Sequence, residues 1–214
     1  MVSEFFDAPV LCFVTDRHRC GGRTLVEVAE AAVQGGADMV QVRERDLPPQ
    51  ELLALARTLR EITDGRALLF VNDRVDVAIA VVADGVQLGE DALPVEASRE
   101  VGPGLVVGRS VHSVDGAVEA ESAGADLLIA GTVFATGSHL AGAPQGVDLL
   151  RRIGQRVNLP LLGIGGINAE NAGSVIEAGA SGAAVVTAIS ESPDPEAAAR
   201  AIKEVMLEAR AREP

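Results

Sequence analysis

The chain alternates short apolar runs with longer amphipathic stretches, and it does so eight times. The runs are "VLCFVTD", "MVQVRER", "ALLFVND", "GVQLGE", "LVVGRSV", "DLLIAGT", "PLLGIGG" and "AAVVTAI". Their length and bounding polar or glycine residues are those of buried strands. Between them lie helix-like patterns such as "TLVEVAEAAVQGG", "PQELLALARTLREI" and "VDLLRRIGQRV". A closing segment, "PEAAARAIKEVMLEAR", sets Ala198, Ile202, Met206 and Ala209 at helical spacing. The joints repeat too. "QGGADMV", "VVADGVQL", "SAGADLLI" and "EAGASGAAVV" each end a helix on small residues and enter a strand. Glycine ends helices because it takes the left-handed conformation cheaply. Strict alternation predicts a parallel sheet with connecting helices outside it. Eight units predict closure into a single (β/α)8 TIM barrel, one α/β domain over residues 1–214. A doubly wound open sheet is the alternative, and the strand ends lack the early G-x-G-x-x-G that would favour it.

A chain of 214 residues can bury one large core. With no Trp, no Tyr and five Phe, that core must be built from Val, Leu, Ile and Ala. The formal net charge of −13 argues against nucleic acid or an anionic membrane as partner. It leaves room for an anionic small molecule at a local basic site. Cys12 sits inside an apolar run and Cys20 in a loop, and neither has metal-site spacing. The start "MVSEFFDAP" has no basic n-region followed by an apolar segment, and no run reaches membrane-spanning length. Cytoplasm is the expected location.

In a barrel of this kind the chemistry collects at the carboxyl ends of the strands. Those ends are polar here. Strand one ends in Thr15-Asp16. Strand two carries Gln41, Arg43 and Arg45 at alternate positions, so all three share a face. Three long polar side chains on one face of an apolar strand are costly to bury without partners, which points to an anion site. Strand three runs "LFVNDRVDVA" and stops on Asn72-Asp73, where one polar residue would make a turn. Asp73 can be a helix cap or a metal ligand. Strand four ends in Gly89-Glu90-Asp91; with Asp73, carboxylates on neighbouring strands suit Mg²⁺, which keeps waters and phosphates in its shell. Strand five offers Arg109, Ser110 and His112, with Ser110 and His112 on one face. The stretch "AGTVFATGSHLAGAPQG" after strand six is rich in small hydroxyl residues and backbone N–H groups suited to phosphate. Strand seven ends "GIGGIN", with Asn168 as a helix cap, and strand eight near Val186-Thr187. Glycine-rich ends on these two strands are where such barrels bind phosphate.

The motifs "QVRER", "LFVNDRVDVA", "ADGVQLGED", "GRSVHS", "GTVFATGSH", "PQGVDLL" and "GIGGINAENA" come in one order along almost the whole chain. In this the sequence resembles the thiamine phosphate synthase and thiazole tautomerase superfamily. The resemblance implies a transferase that joins a pyrimidine pyrophosphate to a thiazole phosphate and releases pyrophosphate. It implies that Gln41, Arg43, Asn72 and Ser110 line the pyrimidine and pyrophosphate site. Asp73 becomes a Mg²⁺ ligand, and Thr136 and Ser138 bind the thiazole substrate or phosphates. Gly166, Val186 and Thr187 cradle the thiazole phosphate through backbone N–H groups.

The chain departs from the synthase pattern at three places. Arg45 stands where synthases usually have Lys, keeping charge but not shape. His139 stands where the long loop usually has Lys. Ala92 stands where the second Mg²⁺ aspartate usually lies, leaving Asp91 or Glu90 to replace it. The tautomerase needs a proton shuttle and no metal, and its catalytic His follows the glycine of "G-H-V-F". Here that residue is Thr132, a poor proton carrier. The retained Asn72-Asp73 favours the synthase. The alternatives are a thiazole tautomerase and a non-catalytic binder of thiazole phosphate or thiamine phosphate. Oligomeric state, homo-oligomer included, is left open by the sequence.

Overall fold

A computed structural model describes residues 5–136 and 143–212. Eight strands pair in chain order, and the last returns to the first, closing a barrel. They are β1 (Val10–Val14), β2 (Met39–Val42), β3 (Leu68–Asn72), β4 (Gly85–Leu88), β5 (Val106–Val111), β6 (Leu127–Gly131), β7 (Leu161–Ile164) and β8 (Gly182–Val185). Each neighbouring pair is parallel, including β1 with β8. The helices are α1 (Leu25–Gln34), α2 (Pro49–Thr63), α3 (Val75–Ala80), α4 (Val95–Val101), α5 (Val114–Ser122), α6 (Asp148–Gly154), α7 (Ala172–Ile176), α8 (Thr187–Ser190) and α9 (Pro195–Ala211).

Side chains alternate along each strand, so every strand feeds two cores. The interior holds Cys12, Met39, Phe70, Leu127, Ile129 and Leu162. The larger shell between strands and helices is built from Leu, Val, Ile and Ala, as a chain poor in aromatics requires. Phe70 fits inside because its neighbour on β4 is Gly85: a Cβ there would lie 2.5 Å from the Phe70 ring. Both cysteines are free and buried. Burial is also the main reason the Cys12 and Cys20 thiols titrate above their ordinary value.

The repeated joints have a structural reason. Asp38, Asp84, Asp126 and Ser181 each precede an even-numbered strand. Each side chain accepts a hydrogen bond from a backbone N–H of the odd strand before it. The donors are Leu11 (2.7 Å), Leu69 (2.7 Å), Val107 (2.8 Å) and Leu161 (3.3 Å). The three carboxylates also meet a cation from the helical shell, Lys203 at 2.6 Å, Arg60 at 2.7 Å and Arg99 at 2.7 Å. Every second unit is thus latched at the amino-terminal end of the barrel, away from the polar strand ends.

Helix starts follow local chemistry. Thr24 and Glu27 form a capping box on α1, Ser113 caps α5 and Asp194 caps α9. The last helix packs on α1 and α7. Its buried stripe runs through Ala199, Ile202, Met206 and Ala209, so Ala199 rather than Ala198 faces the core. Among the described residues no helix is long and apolar enough to cross a membrane.

Candidate active site

The carboxyl ends of the strands open into a cavity of about 580 Å³. Its floor has two halves. From β2 to β5 it carries amide and hydroxyl side chains: Gln41, Asn72 and Ser110. From β6 round to β1 it carries Ile129, Ile164, Ala184 and Val14. A polar wall thus faces an apolar one across a single mouth.

The polar wall is pre-wired. Gln41, buried in the interior, donates from Nε2 to Asn72 Oδ1 at 3.0 Å. Asn72 Nδ2 donates to Asp73 Oδ2 at 2.7 Å, and the backbone N–H of Gly89 donates to Asp73 Oδ1 at 2.7 Å. Asn72 and Asp73 therefore act in series. The amide faces the cavity and its neighbour ties β3 to the exit of β4. Asp73 does not cap α3. It takes the left-handed backbone region, with φ of 59°, and Arg74 is the residue that flanks the helix. Left-handed backbone is tolerated by Asp better than by most residues.

Gln41 belongs to β2, but the strand stops at Val42, so Arg43 and Arg45 project from the loop beyond it. Both still line the cavity with Gln41. Thr15, fully buried at the end of β1, accepts the Arg43 backbone N–H at 2.9 Å and so sets the direction of this loop. The Arg43 guanidinium makes no hydrogen bond or ion pair among the described residues. Burial lowers its pKa from the ordinary value and the Arg45 charge adds to that, while Asp73, Asp16 and Glu44 act the other way. Guanidinium starts far enough above neutrality to stay charged. Arg45 is more exposed and stands 3.8 Å from Asp73 Oδ2.

The loops after β1 and β2 are clamped together. Glu44 accepts the Arg17 backbone N–H at 3.1 Å, and the Arg17 guanidinium bridges Glu44 and Asp46. Hydrogen bonds from Arg17, and then His18, hold the Asp46 carboxyl well below the usual carboxylate range.

At the β4 exit the Ala92 N–H closes a turn on the Gly89 carbonyl at 3.2 Å. Glu90 and Asp91 are the central residues of that turn, and both line the cavity. Ala92 instead packs against the outer core. Arg109 supports the turn from β5, donating to the Glu90 carbonyl at 3.3 Å. His112 also lines the cavity. Its Nδ1 is 2.6 Å from the Gly131 carbonyl oxygen, which fixes Nδ1 as donor and leaves Nε2 3.8 Å from Glu90. Its spacing of two from Ser110 was the signal in the sequence.

On the far side Thr136, Gly166, Val186 and Thr187 line the cavity. Gly165 and Gly166 have φ of 106° and 61°. The chain after β6 crosses them so closely that a Cβ on Gly166 would lie 2.4 Å from the Ala135 carbonyl oxygen. Val186 precedes α8, and Val186, Thr187 and Ala188 all line the cavity. Asn168 does not cap α7 with its side chain. It forms a local turn with the Glu170 N–H at 2.8 Å, and α7 begins four residues later, at Ala172, after Asn171. Ser138 and His139 lie outside the described residues.

The fold and its cavity define a (β/α)8 barrel whose strand ends bring together a guanidinium without a partner among the described residues on one side and glycine backbone on the other. The comparisons with known proteins agree. The family model described as thiamine monophosphate synthase matches residues 11–189. A thiamine-phosphate synthase of Methanoculleus marisnigri is 48% identical, over 94% of this chain and 97% of its own length. One from Roseiflexus sp. is 46% identical, over 94% of this chain and 86% of its own. Among solved structures, thiamine phosphate pyrophosphorylase from Pyrococcus furiosus superposes with a TM-score of 0.86 at 40% identity, covering 94% of this chain and 96% of that one. A 3-hexulose-6-phosphate synthase, at 18% identity and a TM-score of 0.71, shares the fold. The chain belongs to the thiamine monophosphate synthase family.

Proposed function

We propose that the protein joins a pyrimidine pyrophosphate to a thiazole phosphate, forming thiamine phosphate and releasing pyrophosphate. The observation that carries this reading is Arg43: a half-buried guanidinium that lines the cavity with Gln41 and Asn72 and has no hydrogen-bond or ion-pair partner among the described residues. Family membership supplies the reaction, and the two-sided cavity supplies a place for each substrate. Gln41, Asn72 and Ser110 receive the pyrimidine and its pyrophosphate. Gly166, Val186 and Thr187 receive the thiazole phosphate together with Thr136; family resemblance adds Ser138 to the substrate residues and His139 to the catalytic ones.

The bond between the pyrimidine methylene and the pyrophosphate oxygen breaks first. Arg43 and Arg45 neutralise the charge that grows on the leaving group, and the apolar half of the floor keeps water from the carbocation. The thiazole nitrogen then gives its lone pair to that carbon. No side chain has to move a proton, so Thr132 at the β6 exit is no handicap.

The donor set fits Mg²⁺ in one form. Among the described residues no three His, Cys, Asp or Glu side chains converge into a cage. Carboxylates from two neighbouring strand ends, Asp73 with Asp91 or Glu90, match an ion that fills its shell with water and phosphate. Each Asp73 oxygen accepts one N–H bond and so retains a lone pair. Mg²⁺ bound there would neutralise pyrophosphate and ease its departure.

The test is an assay with both substrates, with and without Mg²⁺. Mg²⁺-dependent thiamine phosphate is expected. A folded protein that binds thiazole phosphate yet forms no product would instead be a binder or a tautomerase.

A further inference from the structure

Gln87 is 1% exposed and lies in the barrel interior, two residues beyond Gly85 on β4. Its register partners are Asn72 on β3 and Gly108 on β5. It does not line the cavity. Its Nε2 donates to Ser110 Oγ at 3.1 Å, while its Oε1 is buried with no hydrogen-bond partner. Leaving an amide oxygen orphaned is costly, so packing alone would have favoured an apolar side chain. The fold also makes room for this group. A Cβ on Gly108 would lie 2.0 Å from Gln87 Oε1, so only glycine at 108 admits the amide in this orientation.

The consequence falls on Ser110. A hydroxyl has one proton and two lone pairs. With one lone pair taken from behind by the Gln87 amide, the proton and the second lone pair are left toward the cavity, and an anionic ligand there draws the proton. We propose that Gln87 is a positioning residue that turns Ser110 into a hydrogen-bond donor toward the pyrimidine pyrophosphate. This rests on the reading of Ser110 as a substrate residue, and it assigns a direction to that contact. The wall then presents donors to an anionic ligand: the guanidinium of Arg43 and the proton of Ser110.

The experiment is a double-mutant cycle with Q87M, S110A and the double variant, read as kcat/KM for the pyrimidine pyrophosphate. The KM for thiazole phosphate and the melting temperature serve as controls. Each single variant is expected to lose roughly tenfold in kcat/KM, the scale of one oriented hydrogen bond, with the thiazole phosphate KM unchanged. The double variant is expected to be no worse than S110A, because Gln87 acts only through Ser110. Additive losses, or a Q87M enzyme equal to wild type beside an impaired S110A, would overturn the proposal. An unimpaired S110A would overturn it together with the placement of Ser110 at the substrate. Q87L removes the donor without adding an ionisable group, and it carries the same kinetics should Q87M not fold. Wild-type kcat/KM in Q87L beside an impaired S110A would likewise overturn the proposal.

Discussion

Arg43 shows what a single residue can and cannot announce. Its place in "QVRER" marks a polar face beyond an apolar strand. That its guanidinium has no partner among the described residues appears only once β1 to β4 stand side by side. Replacing Arg43 with Gln removes charge-assisted bonds worth about 1.5–3 kcal/mol, so KM for the pyrimidine pyrophosphate should rise roughly ten- to hundredfold. The melting temperature should hold or rise, since an unpaired half-buried cation does not stabilise the fold. A lower melting temperature with unchanged KM would make Arg43 structural. Asp73 behaves differently. Asp73→Asn presents an N–H to a site that now receives N–H groups from Gly89 and Asn72. Mg²⁺-dependent turnover should be abolished; a variant that keeps its Mg²⁺ response would remove Asp73 from the metal site. Asn72-Asp73 was legible as a pair. The reason for the pair was not, because the Gly89 amide that Asp73 accepts is 16 residues away.

Among the elements, the joints are the most readable feature. "GAD", "VAD", "GAD" and "GAS" look in sequence like helix terminators alone. Their last residue is a latch onto the strand before, and latches repeat because the barrel repeats every two units. Asp84→Ala leaves the Leu69 N–H without its acceptor and Arg60 without its carboxylate. We expect a loss of about 1–3 kcal/mol in urea unfolding, with substrate KM unchanged, since the latch lies at the opposite end of the barrel. Ser181→Ala should cost less, because its bond to Leu161 is longer and neutral. Equal effects would mean that charge plays no part in the latch. The reach of β2 was overread for a related reason. Alternation of Gln41, Arg43 and Arg45 looks like strand, but the ladder between β2 and β3 ends at Val42 and Val71. Side chains still converge because the loop is pulled inward by Thr15.

At the scale of the whole molecule, no group of three or more His, Cys, Asp or Glu among the described residues is placed to hold a metal that the fold would need. Chelation by EDTA should therefore stop turnover while the melting temperature stays within a degree or so, on the order of what weakly bound ligands contribute. A large drop in melting temperature would point to a structural ion instead. Strand number, strand order and the gathering of polar residues at the carboxyl ends follow from the sequence itself, because period, turn residues and alternation are local properties and parallel connectivity leaves few ways to close. What only the tertiary structure decided is which polar atoms are satisfied. The turn that sends Glu90 and Asp91 to the cavity and Ala92 to the core depends on a bond to Gly89. The orientation of Ser110 depends on Gln87, 23 residues away. Hydrogen bonds across a barrel join strands that are distant in sequence, so their directions exist only after closure.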